Sequence, residues 1–133
     1  MTTVLVAEDN AVNRELLREL LEARGYLVVE ACDGQEAIQM TEQAQPDILL
    51  VDIGMPVLDG FGVLRALRED PRLTKLPALA ITAYAMQGDR EKILSAGFDG
   101  YLSKPINARE LGEELDRFLS KREGTARAAA NGK

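Results

Sequence analysis

Residues 48–52 read Ile48-Leu49-Leu50-Val51-Asp52. Four consecutive aliphatic residues describe a strand buried on both faces, because a strand with one wet face would alternate apolar and polar positions. The run stops at a carboxylate, where such a strand would leave the core. The same texture recurs on either side of it: Thr3-Val4-Leu5-Val6-Ala7, residues 26–31, residues 78–81 and the short Gly100-Tyr101-Leu102. Between these runs stand segments of helical period. The first carries Val12, Leu16, Leu17, Leu20 and Leu21, and the others cover residues 34–44, 61–69, 87–96 and 108–120. Gly25 suits the position just past the first helix, and Asp33 with Glu36 and Asn107 with Glu110 have the spacing of N-terminal capping pairs. Five βα units with continuous apolar strands imply a doubly wound α/β fold, a parallel sheet covered by helices on both faces.

A chain of 133 residues, 46% hydrophobic and 29% charged, has the composition of one packed soluble domain. Twenty-two acids against sixteen bases leave a net charge of −6, which excludes a general nucleic-acid binder because phosphate neutralisation needs a basic face. Residues 121–133 differ from the rest, with four bases, one acid and no apolar periodicity. They read as a disordered tail beyond a domain of residues 1–120. The absence of histidine excludes His-ligated zinc, a Ser-His-Asp triad and a phosphohistidine on this chain itself. Cys32 stands alone, so no intrachain disulfide forms and a reducing cytoplasm is the expected compartment. No apolar run approaches a membrane span, and Met1-Thr2-Thr3 lacks the basic start of a signal peptide.

In doubly wound sheets ligands bind beyond the carboxyl ends of the strands. Here the first strand ends in Glu8-Asp9, the third in Asp52 and the fourth in Thr82, while the fifth is followed by Lys104-Pro105. Three carboxylates gathered on one rim repel one another unless a cation joins them, and an all-oxygen set suits Mg²⁺. Asp52 supplies a carboxylate nucleophile, Lys104 a positive charge and Thr82 a hydroxyl donor, the parts of a phosphoryl acceptor. Taken singly, each has a plainer explanation: a strand terminus before a helix capped by Asn10, a loop cap, a solvated lysine, a strand threonine. Specificity comes from their joint occurrence at four strand ends.

Residues 3–120 resemble the receiver domain of two-component response regulators. The segments that carry the likeness are 4–10, Asp52-Ile53-Gly54-Met55-Pro56-Val57-Leu58-Asp59-Gly60, Ile81-Thr82-Ala83 and Gly100-Tyr101-Leu102-Ser103-Lys104-Pro105. The resemblance implies a flavodoxin-like sheet of order 2-1-3-4-5. It also implies that Asp52 accepts a phosphoryl group from a histidine on a kinase or phosphotransfer protein. Glu8, Asp9, Asp52 and the Gly54 backbone carbonyl would hold Mg²⁺. Thr82 and Lys104 would contact the phosphoryl oxygens, with Thr82 and Tyr101 as the switch pair and the Lys104-Pro105 bond cis. Phosphorylation would switch an output face of the fourth helix, fifth strand and fifth helix toward a downstream protein target, as a monomer or a phosphorylation-dependent dimer. Residues 10–14 and 82–90 look most like receivers of hybrid histidine kinases and stand-alone cell-fate regulators. Leu58 stands where methionine is frequent in the family, and Gly62 loosens the third helix.

Rival classes fail on particular residues. A haloacid-dehalogenase-like phosphatase needs a second Asp where Gly54 stands. A flavodoxin-like flavin binder would find its phosphate repelled by Glu8-Asp9, and no GxxxxGK[ST] loop is present for nucleotide hydrolysis. A receiver that signals by docking alone, without phosphate, conflicts with the complete acceptor set. No span long enough for an output domain follows residue 120, so the signal is expected to leave through protein contacts, either from a single-domain regulator or from the receiver of a hybrid kinase. Met1 so close to the first strand favours an intact start. Partner docking is expected at Ala11, Val12, Asn13 and Ile106, where charge reversal at Asn13 or Arg14 would slow transfer. Gly54 offers no side chain to orient a hydrolytic water and Tyr84 would cover the phosphoryl group, so slow self-dephosphorylation is expected.

Overall fold

The computed structural model describes residues 2–83 and 87–131, with side chains described for 2–83 and 89–119. Five strands form one parallel sheet of order β2-β1-β3-β4-β5. They are β1 (Thr3–Ala7), β2 (Leu27–Ala31), β3 (Ile48–Asp52), β4 (Ala78–Thr82) and β5 (Gly100–Ser103). The helices are α1 (Ala11–Ala23), α2 (Gly34–Ala44), α3 (Gly60–Arg68), α4 (Gln87–Ser95) and α5 (Ala108–Asn131), with a short 3₁₀ turn at Pro71–Leu73. The doubly wound α/β reading of the sequence is the fold observed, including the strand order.

Alternation within the strands, invisible as polarity because both faces are dry, divides the core in two. Val4 and Val6 of β1, Ile48 and Leu50 of β3, and Leu79 and Ile81 of β4 pack with Leu17 and Leu21 of α1 and Leu111, Leu115 and Leu119 of α5. Their neighbours Leu5, Ala7, Leu49, Val51, Ala78 and Ala80 pack on the other face with Ala37 of α2, Val63, Leu64 and Leu67 of α3, and Ile93 of α4. Burial on both faces requires consecutive aliphatics, and β3 and β4 are buried along their whole length. Helix starts follow their caps. Asp33 accepts from the Glu36 N–H at 2.7 Å, and the Glu36 carboxylate reaches back to the Cys32 N–H. Asn107 accepts from the N–H groups of Arg109 and Glu110.

Helix α5 does not stop at Ser120. Its backbone stays helical to Asn131, beyond the boundary that apolar periodicity suggests. Periodicity reports only where a helix faces a core. Lys121, Arg122, Ala126 and Ala128 to Ala130 have high helix propensity, although Gly124 and Thr125 between them do not.

Leu58 and Gly62, each a separate departure from the family pattern in the sequence, form one packing unit. Val57 adopts a left-handed backbone (φ 69°), and the Leu58 N–H donates to the Pro56 carbonyl at 2.8 Å, a γ-turn. The turn drives Leu58 between the first turns of α2 and α3. A Cβ on Gly34 would lie 2.5 Å from the Leu58 carbonyl oxygen, and one on Gly62 would lie 2.5 Å from Leu58 Cδ1. The obstacle at Gly34 is backbone and cannot swing away, whereas at Gly62 it is the end of a flexible side chain. Gly34→Ala should therefore cost about 1–3 kcal/mol as overpacking, despite alanine's better helix propensity, and Gly62→Ala under about 1 kcal/mol. Urea midpoints check this, and a neutral or stabilising Gly34→Ala would show that the wedge is loose.

Candidate functional site

Glu8, Asp52 and Thr82 leave the carboxyl ends of β1, β3 and β4, which are neighbours in the sheet. The crevice between β1 and β3 is where the strand order reverses, because the chain winds first toward β2 and then back across β1. Edge strand β5 adds Lys104. Its register sets Ser103 against Thr82, and the Lys104 N–H donates to the Thr82 carbonyl at 2.8 Å. The Lys104-Pro105 bond that follows is cis, as the family resemblance implies.

The Lys104 ammonium bridges two carboxylates, donating to Glu8 Oε1 and Asp52 Oδ2 at 2.9 Å each. Asp52 Oδ1 accepts from the Gly54 N–H at 2.8 Å. Glu8 is fully buried and Asp52 is 5% exposed, while Asp9 is exposed at the lip. Burial pushes the Glu8 carboxyl up to about 7, the neighbouring Asp52 carboxylate adds to this, and the Lys104 ammonium opposes it. Burial also resists ionisation of Asp52, but the adjacent Glu8 carboxyl, the Lys104 ammonium and the Gly54 N–H outweigh it and hold Asp52 below its ordinary value. Burial of Lys104 is likewise outweighed by its two carboxylates, which keep it charged. The two carboxyls are thus pushed apart: Asp52 is the anion, and Glu8 is the one that more readily holds a proton.

Ligand atoms from Glu8, Asp9 and Asp52 lie within 4.8 Å of one another. Glu8 Oε2 is buried without a hydrogen-bond partner, a costly condition for a carboxylate oxygen that a cation would relieve. An all-oxygen set with one open lip fits a small hard divalent ion that keeps several waters.

The structure brings together Glu8, Asp9, Asp52, Gly54 and Lys104, and the other residues named from the sequence differ chiefly in exposure. Thr82 is buried at the end of β4. Tyr101 is half-buried against the core, and the Arg90 guanidinium stands 5.6 Å from its ring centroid. Val12 is 75% exposed, and Ile106 is partly buried against the core below α1 and α5. Leu16, expected on the core face of α1, is instead exposed and lines a pocket of about 330 Å³ with Glu8, Asn13, Leu17, Lys104, Pro105 and Ile106. The signal for Leu16 lay in its spacing, one helical turn after Val12. Arg14 is not a free docking residue, since its guanidinium turns inward to the Glu8 carbonyl. Tyr84 lies outside the described residues.

Comparison with known proteins follows the same line. A family model described as the response regulator receiver domain matches residues 4–116. The chain is 38% identical over 117 residues to the polar-differentiation response regulator DivK of Brucella anthropi, covering 88% of this chain and 95% of that protein. It is 38% identical to the receiver domain of a sensor histidine kinase from Pseudomonas aeruginosa, whose structure has a magnesium ion coordinated in the active-site cleft. That match has a TM-score of 0.83 and covers 90% of this chain and 98% of that one. The chemotaxis protein CheY4 of Vibrio cholerae is 30% identical, with a TM-score of 0.84 over 89% of this chain and 98% of that one.

The raised Glu8 value has a thermodynamic consequence. The unfolded chain releases this proton near 4.5 and the folded one near 7, so the stabilisation is fully present below 4.5 and is lost as pH rises through 7. Asp52 acts in a separate window, its contribution being present above 3.8 and lost as pH falls through its lower folded value. In EDTA the urea midpoint should therefore fall between about pH 5 and about pH 8, and saturating Mg²⁺ should reduce the fall because the cation needs the Glu8 anion. A midpoint that does not fall over this range would show that Glu8 titrates normally.

Proposed function

This chain belongs to the family of response regulator receiver domains, signalling phosphoacceptors that bind Mg²⁺ at an acidic cluster, and we propose that its own acceptor is Asp52. The observation that carries the reading is the Lys104 ammonium held between Glu8 and Asp52, which keeps Asp52 an anion at the open end of β3. Glu8, Asp9, Asp52 and the Gly54 carbonyl would hold Mg²⁺, which when bound supplies the positive charge that lets an anionic phosphoryl group approach.

An oxygen of Asp52 attacks phosphorus as the bond to a partner's histidine nitrogen breaks, and the imidazole keeps the electron pair. Lys104, charged throughout, and the Thr82 hydroxyl face the transferred oxygens, and the Gly54 N–H holds Asp52 Oδ1 so that the carboxylate keeps one orientation.

The donor is a histidine kinase or a histidine phosphotransfer protein, and it docks over the rim on Ala11, Val12, Asn13, Leu16 and Ile106. Exposed aliphatics at Val12 and Leu16, beside a pocket floored by Glu8 and Lys104, support that placement. Movement of Thr82 toward the phosphoryl group, with Tyr101 following, would carry the signal to the face of α4, β5 and α5 and so to a downstream protein. Among the described residues no helix is long and apolar enough to cross a membrane, and cytoplasmic signalling through protein contacts is the proposed setting.

Acetyl phosphate should label Asp52 in Mg²⁺ and fail in EDTA, and Asp52→Asn should not label; equal labelling in EDTA or in the variant overturns the assignment. Val12→Glu and Leu16→Glu should slow transfer from the donor found by screening the source organism's kinases and phosphotransfer proteins, by tenfold or more if about 1.4 kcal/mol of docking is lost. Acetyl phosphate labelling of these variants should be unchanged; equal slowing by both routes would place the docking surface elsewhere. Gly54→Asn should shorten the lifetime of the labelled protein, since a Cβ there makes only ordinary contact 3.4 Å from Asp52 Oδ1 and the amide can orient water. An unchanged or longer lifetime would remove Gly54 from the account.

A further inference from the structure

We propose that Arg14 is a positioning residue for the divalent-cation ligands Glu8 and Asp9, an inference that rests on the phosphoacceptor reading above. Strand β1 ends at Ala7, whose register partner on β3 is Val51, so the Glu8-Asp9 segment runs on past the last β1–β3 pair. Two bonds fix its backbone. The Glu8 N–H donates to the Ala31 carbonyl at 3.1 Å, and the Glu8 carbonyl accepts from Arg14 Nη1 at 2.8 Å.

The guanidinium is itself steadied from β2. Arg14 Nε lies 3.9 Å from Glu30 Oε1, and Glu30 Oε2 takes Arg18 Nη1 at 3.2 Å. A planar guanidinium can serve a carbonyl and a carboxylate at once, which a lysine ammonium at the end of a flexible stem does less well.

The consequence follows from covalent geometry. The Glu8 carbonyl and the Asp9 N–H belong to one peptide plane, so fixing the carbonyl direction fixes where the Asp9 Cα stands and where its exposed carboxylate starts. On the other side of the same residue, the Glu8 side chain is fully buried with Oε2 unpartnered, an arrangement that the backbone has to hold against its cost. Arg14 thus stands outside the ligand set and orients the peptide from which two of its members project. In metal sites, removal of such an outer partner typically weakens binding about 10–100-fold.

The test uses the full chain with Arg14→Gln, Arg14→Lys and Glu30→Gln. Mg²⁺ affinity is measured by isothermal titration calorimetry, stability in EDTA by urea unfolding, and acetyl phosphate labelling across a Mg²⁺ titration. Arg14→Gln should weaken Mg²⁺ binding about 10–100-fold, with the labelling rate recovered at saturating Mg²⁺. Arg14→Lys should fall between it and the wild type, and Glu30→Gln should shift affinity the same way but less. Wild-type Mg²⁺ affinity in Arg14→Gln, whatever its stability, makes Arg14 a strut of the fold and overturns the proposal, as does labelling that stays low at saturating Mg²⁺. If Arg14→Gln fails to fold, Arg14→Lys and Glu30→Gln decide, and unchanged affinity in both overturns it. A wild-type chain that binds Mg²⁺ yet never labels would sink the phosphoacceptor reading while calorimetry still judged Arg14; one that binds no Mg²⁺ would sink both.

Discussion

A single ammonium group holds the rim together. Lys104 Nζ donates to Glu8 and to Asp52 across 96 and 52 residues of chain, and without it two buried carboxylates at adjacent strand ends would repel each other in a medium that screens them poorly. The dependence runs through the whole sheet. β1 and β3 place the carboxylates side by side, but the lysine arrives only when β5 has paired with β4 in the register that sets Ser103 beside Thr82. Four strands thus have to be in place before the site is electrostatically tolerable, and the last strand in sequence completes what the first begins.

The same bridge separates two chemically identical groups into different roles. Glu8, fully buried and raised in proton affinity, and Asp52, lowered by Lys104 and the Gly54 N–H, are a pair whose environments push their proton affinities apart. On the proposed reading the nucleophile has to be the anion, and the lowered group is the one at the open end of β3. Glu8 bears the cost. Its unpartnered Oε2 is stability forgone at the place where a cation is expected to bind, as functional sites commonly show.

The fold was legible in the sequence because burial on both faces leaves so plain a mark: runs such as residues 48–51 admit few other interpretations. The carboxylates were legible because charge at the end of such a run is conspicuous. What escaped the sequence depends on tertiary placement. Val12 and Leu16 share the helical spacing of Leu17 and Leu21, yet the first turns of α1 overhang the rim, where no core exists for them to face. Arg14 reads as one more solvated helix cation because its partner is a backbone carbonyl, which no side-chain pattern records. The Leu58 wedge was visible only as two oddities, Leu58 and Gly62, until Gly34 supplied the third surface.

These features divide the rim into a fixed side and a responsive side. The loop after Asp52 is tied down by Met55 in the core, by the γ-turn at Val57 and by Leu58 between α2 and α3. Arg14 similarly ties Glu8 to α1 and β2. The proposed acceptor and metal ligands therefore sit on tethered backbone, which suits a transfer requiring alignment of attacking and leaving atoms. Thr82 and Lys104 are joined instead through the β4–β5 pairing, one hydrogen bond from the strand that carries Tyr101. On the proposed reading, charge added at Asp52 cannot be accommodated by moving the acceptor loop. The response falls to Thr82 and Lys104, and through them to the edge strand and Tyr101, which is only half-buried and has room to change its packing.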